Sequence, residues 1–240
     1  MSFATYINNF KRDGIKVLDG ISESKYANLI KKANEAYYNN SPLMTDNEFD
    51  IIKEYFESKY PDNPVLKNIG APITKNKVLL PYNMPSMDKI KPDTDALSKW
   101  MKKYTGDYVL SCKLDGVSGM YSTENNKEEL YTRGDGKIGQ NITHLLSVLN
   151  LPKVKDIVVR GEFIIKKEVF NEKYKSKFSN SRNLVSGIIN SKSIDKKIKD
   201  MDFVAYEIIK PVLNPSDQMK LLEKLGFKTV RNAVFVSLTN

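Results

Sequence analysis

Residues 111–119 read SCKLDGVSG. The stretch closes an apolar run that begins at Tyr108, sets Lys113 two residues before Asp115, and turns at Gly116. On an extended chain successive side chains alternate faces, so Lys113 and Asp115 point the same way while Leu114 enters the opposite layer. Cys112 faces away from Lys113 and is expected in the sheet core, where a free thiol behaves as a small hydrophobe. Gly116 has no side chain, which leaves room for a flat ligand to approach the backbone. A lysine amine is protonated at neutral pH. It attacks an electrophile such as phosphorus only when burial or neighbouring cations lower its pKa. Four letters of this kind arise readily by chance, and an exposed hairpin lysine is the plainer reading of them taken alone.

Two downstream segments add to that reading. YTRGDGKIGQNIT (131–143) sets Arg133 and Asp135 among Gly134, Gly136 and Gly139. Such a turn either brings backbone N–H groups and a guanidinium toward phosphate or is a flexible surface hairpin. IVVRGEF (157–163) puts Glu162 after Gly161, at the end of an apolar strand. A carboxylate there either reaches solvent or holds a ribose hydroxyl or a divalent metal.

The flanking pattern is mixed. Strand-like runs cover 108–113, 117–122, 129–133, 157–165 and 203–209, with helical stretches between and after them, as expected of an α/β or α+β domain with a largely antiparallel sheet. Residues 93–106 read as a short helix with Leu97, Trp100, Met101 and Tyr104 inward and Gly106 at its end. Residues 214–226 have Pro215 early in a helix and Gly226 just past it. The first 60 or so residues read as helical. Tyr26, Leu29, Ile30, Ala33 and Tyr37 form one stripe. Thr45 and Glu48 make a capping box, Phe49, Ile52 and Phe56 the next apolar face, and Pro61 a stop. Residues 60–77 are rich in Pro, Gly and Asn, which places a boundary near residue 75.

Lys and Arg number 38 against 29 Asp and Glu, a net charge of +9. That excess favours a polyanionic partner through its phosphate backbone, or reflects a solvated lysine-rich surface. No apolar run approaches the roughly 20 residues of a membrane span. The N-terminus, MSFATYINNFKRDG, lacks an apolar core followed by a small-residue cleavage site. A single cysteine forms no internal disulfide, and with a single histidine (His144, expected on the surface or in a cap) it supplies no zinc cluster. A reducing, intracellular setting is expected.

Taken in order, KLDG (113–116), TRGDG (132–136), VRGE (159–162) and SRNLVSG (181–187) resemble the motifs of the nucleotidyltransferase domain of NAD-dependent DNA ligases. Upstream, Tyr37, Tyr38, Pro42, Asp46, Phe49 and Asp50 resemble the signature of the small helical domain with which that family grips the nicotinamide mononucleotide half of NAD. The resemblance implies an α+β chain, with a helical domain over 1–75 and a nucleotidyltransferase (adenylation) domain over 76–240. It further implies that Lys113 is adenylylated by NAD. Tyr37, Tyr38, Asp46 and Asp50 would then hold nicotinamide mononucleotide, Ser86 and Met87 the adenine side, and Asp115, Gly116 and Glu162 the ribose or Mg²⁺. Arg133 and Arg182 would face phosphates of the nucleotide or of a nick in duplex DNA.

The chain departs from the family's pattern in several places. Phe49 replaces a tyrosine, Ser111 replaces a glutamate associated with adenine selectivity, and Asn190 replaces a second arginine. No Asp-Gly follows residue 136, whereas the family continues with an Asp-Gly-Val-Val-x-Lys strand and with OB-fold, zinc-binding and helix-hairpin-helix modules. The adenylation domain is therefore expected to be incomplete at its C-terminal end. Two rivals stand beside this reading: an ATP-using or RNA-directed relative, and a non-catalytic nucleotide- or nucleic-acid-binding fragment.

Overall fold

The structure is a computed structural model that describes residues 3–38, 44–67, 76–90, 94–178, 180–191 and 193–236. The boundary expected near residue 75, and Pro42, lie outside those residues. Helices α1 (Phe3–Asp13), α2 (Glu23–Tyr38) and α3 (Asp46–Lys59) bury one apolar cluster among themselves. The expected stripe is its centre: Tyr26, Leu29, Ile30 and Ala33 are buried, as are Ile52 and Phe56 from α3. The Tyr26 ring meets Phe56 edge-on at 4.9 Å, and its hydroxyl donates to the Ile52 carbonyl at 2.9 Å. An aromatic phenol is buried this way only with a partner for its O–H. The capping box forms as read. Thr45 accepts from the Glu48 N–H at 3.2 Å, and Glu48 accepts from the Thr45 N–H at 2.7 Å. The side chain of Tyr37 lies outside the described residues.

The remaining described residues build a sheet. Its strands are β1 (Lys77–Leu79), β3 (Val117–Ser122), β4 (Glu129–Thr132), β5 (Ile138–Asn141), β6 (Val158–Ile165) and β7 (Met201–Lys210), in the order β1-β5-β4-β3-β6-β7 and antiparallel throughout. β2 (Tyr108–Ser111) and β8 (Asn232–Phe235) form a separate antiparallel ribbon. A parallel bridge between Ala205 and Thr229 lays the approach to β8 along the outer edge of β7. The expected α+β architecture with a largely antiparallel sheet is thus what the chain adopts.

Strand alternation divides the sheet into two unlike faces. On one, Tyr121, Val159, Phe163 and Phe203 pack under α6 (Ser181–Ile189) and α7 (Pro215–Lys224), which contribute Leu184, Val185, Ile188 and Leu222 to the larger core. Gly119 belongs to this face, and a Cβ there would overlap the Phe163 ring. The other face carries Met120, Tyr131 and Val158, covered by Leu80 and Met84 from the segment after β1. The same face presents Ser118, two residues before Met120, and Arg160 and Glu162, two and four residues after Val158. Polar side chains therefore sit on an otherwise apolar surface, at the end of the sheet where β3 begins.

Two expectations are corrected. Helix α4 (Ala96–Lys103) buries no residue fully, and Tyr104, expected inward, is 48% exposed. Cys112, expected in the core, is exposed. It lies one residue beyond β2, where its N–H still donates to the Arg231 carbonyl at 3.0 Å and, among the described residues, no layer covers its side chain. Helix α7 begins as read, with Pro215 in its first turn and Asn214 accepting from the Asp217 N–H at 3.0 Å. Helix α5 (Lys167–Lys173) follows β6 directly.

Replacing Thr45 by Ala removes the side-chain half of the α3 capping box, and we expect it to lower the stability of the helical segment by about 1 kcal/mol. Urea unfolding followed by circular dichroism checks this, with Ser24→Ala, on the exposed side of α2, as a near-neutral control.

Candidate active site

Lys113 stands in the extended segment that leaves β2 for β3, not on a strand proper. Its side chain is exposed, Leu114 packs against the main core, and Asp115 returns to solvent, so the expected alternation holds. Gly116 is required by packing as well. A Cβ at this position would overlap the Phe163 carbonyl oxygen and press on Ile164 and Glu162. The glycine lets this segment lie against β6.

That approach fixes the surroundings of Glu162. Of the two readings open to Glu162, a carboxylate reaching solvent or one held for a ribose hydroxyl or a metal, the first does not hold: the residue lies inside β6 and is only 7% exposed. Ser118 Oγ donates to Glu162 Oε2 at 2.9 Å, and the Gly116 N–H also hydrogen-bonds the carboxylate. Burial pushes the Glu162 carboxyl up to about 7. The Ser118 hydrogen bond, the charge of Lys113 and the Gly116 N–H pull against that shift, and the charge of Asp115 adds to it. Lys113, Asp115 and Glu162 are therefore close enough to feel one another's charge. Tyr206 of β7 joins them: burial, and next the Glu162 charge, push its phenol up to about 12, while a hydrogen bond with Ser118 opposes the shift.

Arg182 stands in the first turn of α6, where Asn180 caps the helix by accepting from the Asn183 N–H at 2.8 Å. Its Nη1 reaches Asp115 Oδ1 at 3.3 Å, and burial holds its guanidinium down to about 10. Arg133, expected to face phosphate, occupies the turn from β4 to β5. Its N–H donates to the Ser118 carbonyl at 2.9 Å, which puts Arg133, Ser118 and Glu162 in one row across three strands. The Arg133 side chain holds the chain segment over the sheet: Nε donates to the Met84 carbonyl at 3.0 Å and Nη2 to Ser86 Oγ at 2.6 Å. Arg160 grips the same segment through the Asn83 carbonyl and pairs with Glu207 at 2.7 Å. Met87 follows Ser86 and is 71% exposed.

The structure thus brings Lys113, Asp115, Gly116, Glu162 and Arg182 to one end of the sheet, with Arg133 and Ser86 beside them. Tyr37 and Tyr38 fall in the last turn of α2, and Asp46 and Asp50 in the first turns of α3, but their side chains lie outside the described residues. Phe49 is half-buried against the helical cluster. Sequence reasoning missed Ser118 and Tyr206. Their only signal was a polar residue at every second position of a strand otherwise apolar on that face. Among the described residues no group of three or more His, Cys, Asp or Glu side chains is arranged to hold a metal ion. No helix among them is long and apolar enough to cross a membrane.

A sheet that carries Lys-x-Asp-Gly and a buried glutamate on its polar face has the arrangement expected of an adenylation domain. Comparison with known proteins bears this out: a family model described as "NAD-dependent DNA ligase adenylation domain" matches residues 76–239. The chain belongs to that family. Among its relatives, the DNA ligase of Acanthamoeba polyphaga mimivirus is 41% identical over 224 residues, which cover 89% of this chain and 35% of that protein. A protein of Invertebrate iridescent virus 6 is 37% identical over 230 residues, 88% of this chain and 36% of that one. The DNA ligase of Ruthia magnifica subsp. Calyptogena magnifica is 32% identical over 200 residues, 75% of this chain and 31% of that one. The chain spans about a third of the length of the curated relatives it matches.

Glu162 makes stability depend on pH. A carboxyl whose folded pKa lies near 7, above the ordinary 4.5, binds more protons folded than unfolded between those values. Its contribution is complete below pH 4.5 and is lost as the pH rises through about 7. We expect the urea midpoint to fall across that window and then level off, and Glu162→Gln to flatten the profile. A wild-type midpoint flat between pH 5 and 8 would contradict the burial of this group.

Proposed function

We propose that this chain is the adenylation portion of a DNA ligase that uses NAD, with Lys113 as the nucleophile. The Lys113 amine, once deprotonated, attacks the adenylyl phosphorus. A nitrogen–phosphorus bond forms, the pyrophosphate P–O bond breaks, and nicotinamide mononucleotide leaves with the electron pair. In the longer protein the AMP then passes to a 5′-phosphate at a nick in duplex DNA, and the 3′-hydroxyl displaces it to seal the strand. The observation that carries the proposal is the meeting of Lys113 with Asp115 and the buried Glu162 at one end of the sheet, in a chain of this family.

The remaining roles are those the resemblance implies, read together with the positions given above. Residues 1–75 form the helical domain, in which Tyr37, Tyr38, Asp46 and Asp50 hold the nicotinamide mononucleotide half of NAD. Residues 76–240 form the adenylation domain. Ser86 and Met87 lie on the adenine side, on the segment that Arg133 holds in place, so Arg133 acts on the nucleotide chiefly through that segment. Gly116 lets the lysine segment approach β6. Arg182 faces phosphate, exchanging its contact with Asp115 for the ligand. Asp115 and Glu162 offer hard oxygen donors, which fit Mg²⁺, a cation that takes one or two carboxylates and fills its other positions with phosphate and water. Bound there it would neutralise phosphate charge.

Incubated with NAD and Mg²⁺, the chain should gain the mass of one AMP, located to Lys113 by peptide mapping. Lys113→Ala should gain none. ATP in place of NAD should give no adduct, and Asp46→Asn together with Asp50→Asn should slow the gain by on the order of a hundredfold. An undiminished adduct on Lys113→Ala would overturn the assignment of the nucleophile, and equal use of ATP would overturn that of the cofactor.

A further inference from the structure

The buried Glu162 carboxylate is held by a side chain outside the motif residues. Among the described residues its hydrogen-bond donors are the Gly116 N–H and Ser118 Oγ, the latter at 2.9 Å. Ser118 is therefore its side-chain donor. The neighbouring guanidinium groups are engaged elsewhere: Arg160 with Glu207 and the Asn83 carbonyl, Arg133 with the Met84 carbonyl and Ser86, Arg182 with Asp115. Lys113 and Asp115 act on Glu162 through their charge. An ionised carboxylate accepts up to about four hydrogen bonds, so two donors from the protein orient it and leave lone pairs for a ligand.

The backbone fixes Ser118 in front of Glu162. The two residues pair directly across β3 and β6, where facing Cβ atoms lie about 5 Å apart. On the other side of β3 the Ser118 carbonyl accepts from the Arg133 N–H at 2.9 Å. The Ser118 hydroxyl has a single proton, which it gives to Glu162. In its hydrogen bond with Tyr206 the serine oxygen is therefore the acceptor, and the phenol donates. Tyr206 reaches this point through a bulge in β7. Gly161 pairs with Ala205 and Arg160 with Glu207, which leaves Tyr206 with no residue opposite. The extra residue turns both Tyr206 and Glu207 to the polar face, where Glu207 pairs with Arg160 and Tyr206 meets Ser118. From β7 through β3 to β6, each hydroxyl thus orients the next group, and hydrogen bonds in such a chain strengthen one another. Packing does not ask for a serine here: the next residue on this face of β3, Met120, is fully buried and apolar.

We propose that Ser118 is a positioning residue for adenylylation of Lys113: it holds the Glu162 carboxylate in the orientation in which that group meets the nucleotide, and Tyr206 holds Ser118 in turn. This rests on the reading of the chain as the adenylation portion of an NAD-using ligase. A carboxylate free to turn would let the adenylyl group settle away from the lysine nitrogen. A displacement of about 1 Å is enough to cost on the order of a hundredfold in rate. Most contacts to NAD lie on other residues, so the loss falls on the rate at saturation and not on the concentration that half-saturates.

The test follows adduct formation by intact mass over a range of NAD concentrations with Mg²⁺, in the full chain. Ser118→Thr and Ser118→Val have similar shapes and differ in the hydroxyl. Position 118 is half-buried on a strand, which suits a β-branched side chain. Ser118→Val should lower the rate at saturating NAD by about tenfold to a hundredfold, the usual cost of removing a group that orients a ligand-holding carboxylate. Its half-saturating NAD concentration should stay near that of the wild type, and Ser118→Thr should recover most of the rate. Tyr206→Phe keeps the ring and removes the phenol hydroxyl. It should cause a smaller loss in the wild type and no further loss in Ser118→Val, because it acts through that hydroxyl. Circular dichroism confirms that each variant is folded, and Ser118→Ala, which adds no bulk, replaces Ser118→Val should the latter not fold. Equal rates in the threonine and valine variants would overturn the role of Ser118. So would a change confined to the half-saturating concentration. Either result leaves the proposed function standing, since the adduct forms. An equal loss from Tyr206→Phe in both backgrounds would overturn the part given to Tyr206. No adduct from the wild type would remove the proposed function and the role of Ser118 with it.

Discussion

The close approach of residues 113–116 to β6 is the constraint from which the site follows. Gly116 lies where no side chain fits, against the Phe163 carbonyl and the Glu162 stem. Because the chain passes there, the Gly116 N–H is available to Glu162, and Lys113 and Asp115 come within range of its charge. The approach has two anchors. Upstream, the β2–β8 ribbon is held at the edge of β7 by the Ala205–Thr229 bridge. Downstream, Val117 enters its pairing with Phe163 at once. Four residues between two fixed ladders have little freedom, so the nucleophile's position is set by backbone pairing more than by its own contacts.

Burying Glu162 among these groups is unfavourable for its charged form, and the compensation is only partial. Ser118, the Gly116 N–H and Lys113 all favour the carboxylate, yet desolvation outweighs them and the group titrates near 7. Such a perturbation, on a group tied to a specific cation in a polar recess, is typical of functional sites. Arg182 shows the same tension with the opposite charge, held down by burial while it keeps a contact with Asp115. In both groups burial outweighs the contacts that favour the charged form.

Some of this was legible in the sequence because it rests on local chemistry. The Thr45–Glu48 capping box, the Asn214–Pro215 helix start and the buried stripe of α2 are decided by residues within a few positions of one another. Lys113, Asp115 and Glu162 were legible through residue type and order. What was not legible depends on partners far along the chain. Glu162 looked like a strand end because its burial is made by Ser118 and Gly116, more than forty residues earlier. Tyr206 looked like one aromatic in an apolar strand because its neighbours are set by the register between β6 and β7. Alternation gave the side on which Cys112 lies but not whether a second layer covers it. Arg133 is expected to face phosphate, but the partners its side chain takes, Met84 and Ser86, lie on a segment whose path over the sheet has no local signature.

Register joins the stability of the molecule to its chemistry. On the covered face, the Phe163 ring fills the space left open at Gly119 and meets Phe203 at 5.1 Å. That fit admits one alignment of β3 with β6. On the opposite face the same alignment sets Ser118 opposite Glu162, and through Ser118 the backbone of Arg133. A slip of one residue would turn every side chain of β6 to the other face, sending Glu162 into the apolar core and Phe163 into the polar recess. Both exchanges are costly, since Glu162 would lose its Ser118 partner inside an apolar core and Phe163 would stand among polar groups left without theirs. The core that stabilises the sheet therefore also specifies which side chains stand beside Lys113, and the site needs no separate scaffold.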